Sequence, residues 1–196
     1  FTATARSMTL RVRAPAAGIV VRLKVEDAAD PTRSVETEAT TTVANAWETL
    51  TFNFANQVTG TAALNLAFTY NKASVFFAFG TTGAAGGAGT YYFDELNFVA
   101  GGGGGGGGGT VAGLPIDFDT AGVTYTLTGF GGAEDATVAA GVAGANGSVA
   151  RVVKSATAEL WAGTTVSTGA NQSIATIPFT ATARSMTLRV RAPAAG

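Results

Sequence analysis

The strongest constraint on this chain is a repeat that relates its two ends. Residues 1–18 read FTATARSMTLRVRAPAAG, and residues 179–196 have the same sequence without one difference. The second copy starts 178 positions after the first. Because an identity of this length does not arise by chance, we interpret the chain as a window cut from a tandem array with a 178-residue period. The alternative is an artificial duplication or an engineered circular permutant.

Nine consecutive glycines at residues 101–109 separate the two copies. A tract without side chains has nothing to bury and has the largest backbone entropy of any composition. It also lacks the Lys-Ser/Thr ending of a phosphate-binding loop. We therefore predict a linker over residues 101–113. Residues 1–100 then form the C-terminal part of one repeat, and residues 114–196 form the N-terminal part of the next, with 179–196 duplicating 1–18.

Alternation of apolar and polar residues runs through both parts, whereas convincing helical periodicity is absent. In the first copy, Met8, Leu10 and Val12 face one side and the polar residues between them face the other. Turns rich in Gly, Pro and Asn separate about ten such runs. The pattern predicts an all-β protein, an antiparallel β-sandwich or jelly roll in a tandem repeat of 178 residues.

Individual strands are predicted from the same alternation. The runs at 8–13 and 21–25 predict an antiparallel hairpin, turned by Pro15 to Gly18, with one face in water. Further predicted strands are those near 35–40, 47–56, 75–79, 91–99, 116–119, 123–128, 148–154 and 174–179.

Two absences from the composition narrow the function. The chain has no His and no Cys, which removes the usual general base, the usual metal ligands and Ser-His or Cys-His nucleophiles. We therefore expect a protein that is not an enzyme. A formal net charge of −1 offers no electrostatic basis for nucleic-acid binding. No apolar run approaches the ~20 residues needed to span a bilayer, so we expect no membrane insertion in this segment.

Several stretches, taken in repeat order, share a pattern with a known family. They are IDFD at 116–119, GGA at 131–133, VARVVK at 149–154, WAG at 161–163, SMTLRV at 7–12, VRLKVE at 21–26, WETLTF at 47–52 and YYFDEL at 91–96. This order resembles the galactose-binding-like jelly rolls that serve as carbohydrate-binding modules in secreted bacterial glycosidases and surface proteins. The resemblance, and a composition rich in Thr, Ala and Gly, lead us to expect an extracellular location on a bacterial cell surface.

The same resemblance implies a structural Ca²⁺ where the first and last strands of the domain meet. Asp119, after the first-strand Phe, and Asp94 of the YYFDE stretch match the ligand positions, with Asp117 and Glu95 as neighbours. Carboxylate and carbonyl oxygens are the ligands that Ca²⁺ prefers. The alternative is that these acids only decorate the ends of strands.

Polysaccharide binding, also implied by the resemblance, would use exposed aromatic platforms. The candidates are Trp161, Tyr125, Tyr91 and Tyr92, with Tyr70 as a further one. For Trp161 the competing interpretation is a place in the core or at the rim of a sheet. Trp47 lies in an alternating apolar run and is predicted to be core.

The remaining function class is structural. Tandem β-sandwiches on linkers are typical of adhesins, fibres and sheaths, and residues 179–196 could fill in one unit the place that 1–18 occupies in another. Such strand completion would bury Met8, Leu10 and Val12. We therefore expect a structural repeat of an extracellular filament, sheath or adhesin-type surface protein whose main partner is itself. The alternative is a non-catalytic array of polysaccharide-binding modules.

A basic stripe accompanies this prediction. Its residues could pair with Glu36 and Glu38 across neighbouring strands or dock on the next subunit; they are Arg11, Arg13, Arg22 and Lys24. Cross-strand pairing on a solvated face is the preferred interpretation.

Overall fold

The computed structural model describes residues 16–99, 113–181 and 184–191. Over these ranges the chain forms ten strands: β1 (Val20–Asp27), β2 (Asp30–Thr40), β3 (Glu48–Asn53), β4 (Lys72–Phe77), β5 (Gly89–Val99), β6 (Thr126–Phe130), β7 (Asp135–Ala139), β8 (Val149–Lys154), β9 (Gly163–Ser167) and β10 (Ser185–Arg191). Two short helical turns, Gly83–Gly87 and Ala170–Gln172, complete the regular structure of these ranges. No helix in the described ranges is both long and apolar enough to cross a bilayer.

The strands build two five-stranded antiparallel sheets. The order in the first sheet is β2-β1-β4-β9-β6, and the order in the second is β3-β10-β5-β8-β7. All neighbouring strands pair antiparallel. The two sheets enclose one core of apolar side chains. The predicted all-β antiparallel sandwich is therefore confirmed, and the 178-residue array remains a prediction.

Each sheet contains strands from both sides of the glycine tract. In the first sheet, β2, β1 and β4 come from residues 16–99, and β9 and β6 come from residues 113–191. In the second sheet, β3 and β5 come from the earlier part and enclose β10 from the later part. Since each sheet needs strands from both parts, neither part closes the sandwich alone.

The core follows from the alternation seen in the sequence. Strand β1 directs Val21, Leu23 and Val25 inward, and all three are fully buried. Aromatic rings fill the space between the sheets, with Phe77 of the first sheet stacked on Tyr91 of the second at 4.7 Å between centroids. Burial of one such side chain is worth about 1.5–3 kcal/mol, so the inward faces stabilise the sandwich.

The predicted hairpin between residues 8–13 and 21–25 is wrong. Strand β1 pairs with β2 along one edge and with β4 along the other, so it has no open edge for a third strand. Residues 8–13 themselves lie outside the described ranges. The same sequence at 185–191 lies in the opposite sheet from β1. Alternation shows which side of a strand faces the core, but it does not show which strand is the neighbour.

Two other predicted strands are absent from the described ranges, and two observed strands were not predicted. At 116–119 there is a single bridge between Leu96 and Ile116, because Phe118 has φ of 59° and interrupts the extended backbone. The run at 174–179 is irregular. Strand β9 was missed because all five of its residues are buried, which leaves no alternation to detect. Strand β7 was also missed.

Candidate functional site

The position between β3 and β5 in the second sheet is the site that bears most directly on function, and we call it the β10 slot. Its occupant is the strand of the second copy. On the β3 side, residues Ser185 to Val190 lie in continuous register with Asn53 to Glu48. On the β5 side, pairing runs from Ser185 opposite Val99 to Arg191 opposite Tyr92, with a bulge between Thr187 and Arg189. Both edges of β10 are therefore hydrogen-bonded.

The inward face of β10 is completely buried. Met186, Leu188 and Val190 have no exposed surface. Met186 lies opposite Phe52 on one side and Phe98 on the other, both also buried. An interior strand with such a face is essential to the core, because its removal would expose apolar surface on both neighbours and leave two strand edges unpaired.

A second anchor of the same segment is Phe179, the first residue of the second copy. Its ring makes edge-to-face contacts with three other rings at centroid distances of 5.4–5.5 Å: those of Phe54, Tyr70 and Phe98. Edge-to-face pairs of this kind add about 0.5–1.5 kcal/mol each beyond the burial of area. The duplicated segment is thus held by an aromatic residue and by the strand that follows it.

The end of β10 and the beginning of β1 lie at the same end of the sandwich. Val190 is opposite Glu48, whose carboxylate accepts hydrogen bonds from the Thr42 amide and hydroxyl. The adjacent Thr41 hydroxyl donates to the Ala16 carbonyl at 3.0 Å, and the Gly18 amide donates to the Thr41 carbonyl at 2.7 Å. The chain that leads out of the first copy is therefore fastened beside the exit of β10.

The predicted assembly residues, Met8, Leu10 and Val12, lie outside the described ranges. Their counterparts in the second copy are the three buried residues of β10, Met186, Leu188 and Val190. The sequence had identified the apolar face of this segment. It carried no signal for which neighbours the strand would take, because β3 and β5 are distant in sequence.

Within the basic stripe, Arg22 forms the cross-strand ion pairs predicted for it. The Arg22 guanidinium lies 2.8 Å from the Glu36 carboxylate and 2.6 Å from that of Glu38. It also lies over the Phe79 ring at 3.5 Å from the centroid. Lys24 pairs with Glu26 of its own strand. Arg22 therefore has its partners within the sheet, and Arg11 and Arg13 lie outside the described ranges.

An aromatic row crosses the outer face of the same sheet, and sequence patterns did not reveal it. Trp161 is 47% exposed and stacks on Phe130, with centroids 6.2 Å apart and planes at 16°. Phe130 contacts Phe76, which contacts Phe79. Gly163 permits this packing, because a Cβ there would come within 2.7 Å of Phe76 and 2.9 Å of Phe130. Trp161 thus occupies the rim of the sheet.

The tyrosines proposed for sugar binding lie in different environments. Tyr91 belongs to the core rather than to an exposed platform: it is 1% exposed, and its hydroxyl donates to the Gly87 carbonyl. Burial raises the pKa of Tyr91 to about 12. Tyr70 is likewise buried. Tyr125 is half-buried and donates to Asp117 at 2.9 Å, and Tyr92 is half-buried on β5.

Trp47 is predicted to be a core residue, but it is not fully buried. It is half-buried, and its indole Nε1 donates to the Ala143 carbonyl at 3.2 Å. This contact joins the loop before β3 to the loop between β7 and β8.

The four acids assigned to calcium are not gathered into one cluster. In the described part of the chain, no group of three or more acidic side chains is placed to hold a metal ion. Asp117 accepts from the amides of Asp119 and Thr120, and Asp119 accepts from the Ser148 amide at 2.9 Å. Asp94 is buried and accepts from the amide of the exposed Glu95. Asp94, Asp117 and Asp119 thus accept hydrogen bonds from backbone amides, and the structural Ca²⁺ remains a prediction.

One buried charge was not anticipated from the sequence. The Lys154 ammonium, at the end of β8, donates to the carbonyls of Phe77, Ala78 and Thr81 at 3.1, 3.0 and 2.7 Å. Burial lowers the pKa of Lys154, while the three carbonyl oxygens favour its charged form. The side chain fastens the loop after β4 to the second sheet. A lone Lys at the end of a strand gives no sequence signal of such a role.

No protein-family model, no curated protein and no solved structure matches the chain.

Proposed function

We propose that this chain is a structural repeat of an extracellular filament, sheath or adhesin-type surface protein, in which repeats associate by completing one another's sandwich. The observation that carries the proposal is the β10 slot. A strand whose sequence occurs twice in the chain is an interior strand of one sheet, and its inward face is fully buried. Because this strand lies between β3 and β5, it joins the part of the chain that carries it to the part that carries those two strands.

The interleaving of the two parts supports the same function. Each sheet takes strands from both sides of the glycine tract. In an array of such repeats, one part could pair with the following part of its own repeat or with a part of its neighbour through the same interface. Contacts that repeat in a head-to-tail direction propagate without closing, which is the requirement for a filament.

Electron microscopy of the chain tests this function. The chain at high concentration should form regular filaments whose subunits have the size of one sandwich. A field of separate particles at every concentration would contradict the proposal. A chain carrying both Leu10→Glu and Leu188→Glu is the negative control, because a charge in both copies of the strand prevents the sandwich from forming and should leave no filaments.

A second candidate function, a polysaccharide-binding array, is favoured by Trp161. Its indole is the exposed end of the aromatic row, and the stacked Phe130 holds it against the sheet. An exposed, rigid aromatic face can stack on sugar rings, and several weak sites on one array would bind a polymer with higher avidity.

Co-sedimentation with insoluble polysaccharides separates the two functions. Trp161→Ala should abolish binding if the row is a sugar site, whereas Phe68→Ala, which removes another exposed aromatic, should leave it unchanged. Absence of binding by the unsubstituted chain would eliminate the second candidate and leave the first untouched.

A further inference from the structure

The segment in the β10 slot is held through side chains that each occur twice in the chain. The slot binds the alternating face of Met186, Leu188 and Val190, and the aromatic pocket ahead of it binds Phe179. The first copy repeats these residues at the same spacing, as Met8, Leu10, Val12 and Phe1. A molecule therefore has two segments with identical chemistry and, among its described strands, one position that binds it.

The fastening of Ala16 brings the first copy within reach of this slot. Val12, the counterpart of Val190, is four residues before Ala16, and four residues span at most about 14 Å. Ala16 is bonded to Thr41, the neighbour of the Thr42 that binds Glu48, and Glu48 lies opposite Val190. Ala16 is therefore linked, through Thr41 and Thr42, to the end of the β10 slot at Glu48.

We infer that either copy of the duplicated segment can fill the β10 slot, and that the copy in a given slot can come from another molecule of this chain, which leaves that slot's own copies free to enter the next molecule. This deepens the proposed function and rests on it, since it names the exchanged segment and its partner. The exchange replaces each contact by an identical one, and its cost is the entropy of association. Exchange between molecules therefore increases with protein concentration.

Cysteine trapping tests the inference, since the chain has no Cys of its own. Thr51 of β3 lies opposite Thr187 of β10, and the counterpart of Thr187 is Thr9. Directly opposed residues of antiparallel strands have Cα atoms about 4.5–5.5 Å apart, which suits a disulfide. The test chain carries Thr9→Cys with Thr51→Cys, and the control chain carries Thr187→Cys with Thr51→Cys.

Oxidation of the test chain should give a disulfide, and non-reducing electrophoresis should show a ladder of multimers that grows with protein concentration. If only the control chain forms its disulfide, or if the test chain forms one only within single molecules, the inference is overturned. Filaments seen by microscopy without a ladder would refute the inference alone. A ladder without filaments would instead refute the proposed function alone.

Thermal unfolding supplies a second measurement that does not depend on cysteines. Leu188→Glu should retain a cooperative transition near that of the unsubstituted chain, because the first copy replaces the damaged strand. The double variant Leu10→Glu, Leu188→Glu should lose this transition. If Leu188→Glu alone unfolds the chain as fully as the double variant does, the slot accepts only the second copy and the inference is wrong.

Discussion

Leu188 of β10 lies directly opposite Leu50 of β3, and both side chains are buried between the sheets. The segment that contains Leu188 occurs twice in the sequence, and the segment that contains Leu50 occurs once. Leu188 has an identical counterpart in Leu10, whereas Leu50 occurs in a segment that is present once. One side of this contact is therefore replaceable within the chain, and the other side is not.

Leu50→Ala should therefore destabilise the sandwich whichever copy fills the slot. Loss of a buried Leu side chain leaves a cavity and costs about 2–5 kcal/mol. Urea unfolding of the dilute chain, followed by tryptophan fluorescence, measures the free energy of unfolding. Val43→Ala, at an exposed position, is the control and should cost less than about 0.5 kcal/mol. Equal effects of the two variants would show that β3 does not face a packed core.

Lys154→Met should be more damaging than its conservative size suggests. The substitution removes the ammonium donor from the carbonyls of Phe77, Ala78 and Thr81, of which Ala78 keeps a hydrogen bond from the Thr81 amide. Each buried acceptor left unsatisfied costs about 1–3 kcal/mol, so we expect a loss of at least about 2 kcal/mol in calorimetric or urea unfolding. Arg151 lies on the same strand as Lys154 and pairs at the surface with Asp135 of β7, so Arg151→Met should cost less than about 1 kcal/mol. The opposite ranking would mean that the ammonium does not hold the loop.

Alkaline pH should weaken the fold through Tyr91. Its folded pKa is raised from 10.0 to about 12, so the stabilisation is complete below pH 10 and is lost as the pH rises toward 12. A difference of about two units corresponds to about 2–3 kcal/mol. Unfolding free energies measured from pH 9 to 12 should decline more steeply for the unsubstituted chain than for Tyr91→Phe. Parallel curves would contradict the burial of the phenol.

Acid pH should also weaken the fold, in this case through Asp117. Burial would raise the pKa of this carboxyl, but hydrogen bonds from Tyr125, Asp119 and Thr120 outweigh it and hold the pKa below its usual 3.8. The carboxylate therefore stabilises the fold above pH 3.8, and this contribution is lost as the pH falls through the lowered pKa. Asp117→Asn should remove that part of the acid limb in stability measured from pH 7 to 2. An unchanged limb would place its origin elsewhere.

The class of fold could be predicted because alternation is a local property. Val21, Leu23 and Val25 show it within one strand, and the inward faces follow directly. Pairing is not local: the partners of β10 come from β3 and β5, on the far side of the glycine tract. A hairpin was therefore expected for residues 8–13 with the nearest run in sequence. The buried strand β9 shows no alternation at all.

For the candidate sites, too, local features could be predicted from the sequence and contacts between distant residues could not. The apolar face of the duplicated segment was evident from Met8, Leu10 and Val12, because repetition and period are both written in the chain. The aromatic row from Trp161 to Phe76 depends on two strands, β4 and β6, and on the turn before β9. The hydrogen bonds of Lys154 depend on a segment that precedes it by more than seventy residues. Contacts of this kind exist only after folding, so motif and composition could not indicate them.

The molar mass of the unsubstituted chain as a function of concentration tests the central claim most directly. Sedimentation equilibrium should show a 19.5 kDa species at low concentration and a growing series of its integral multiples as concentration rises, since exchange of the duplicated strand is bimolecular. A single 19.5 kDa species at every concentration would contradict the account, because the β10 slot would then be filled only within its own molecule.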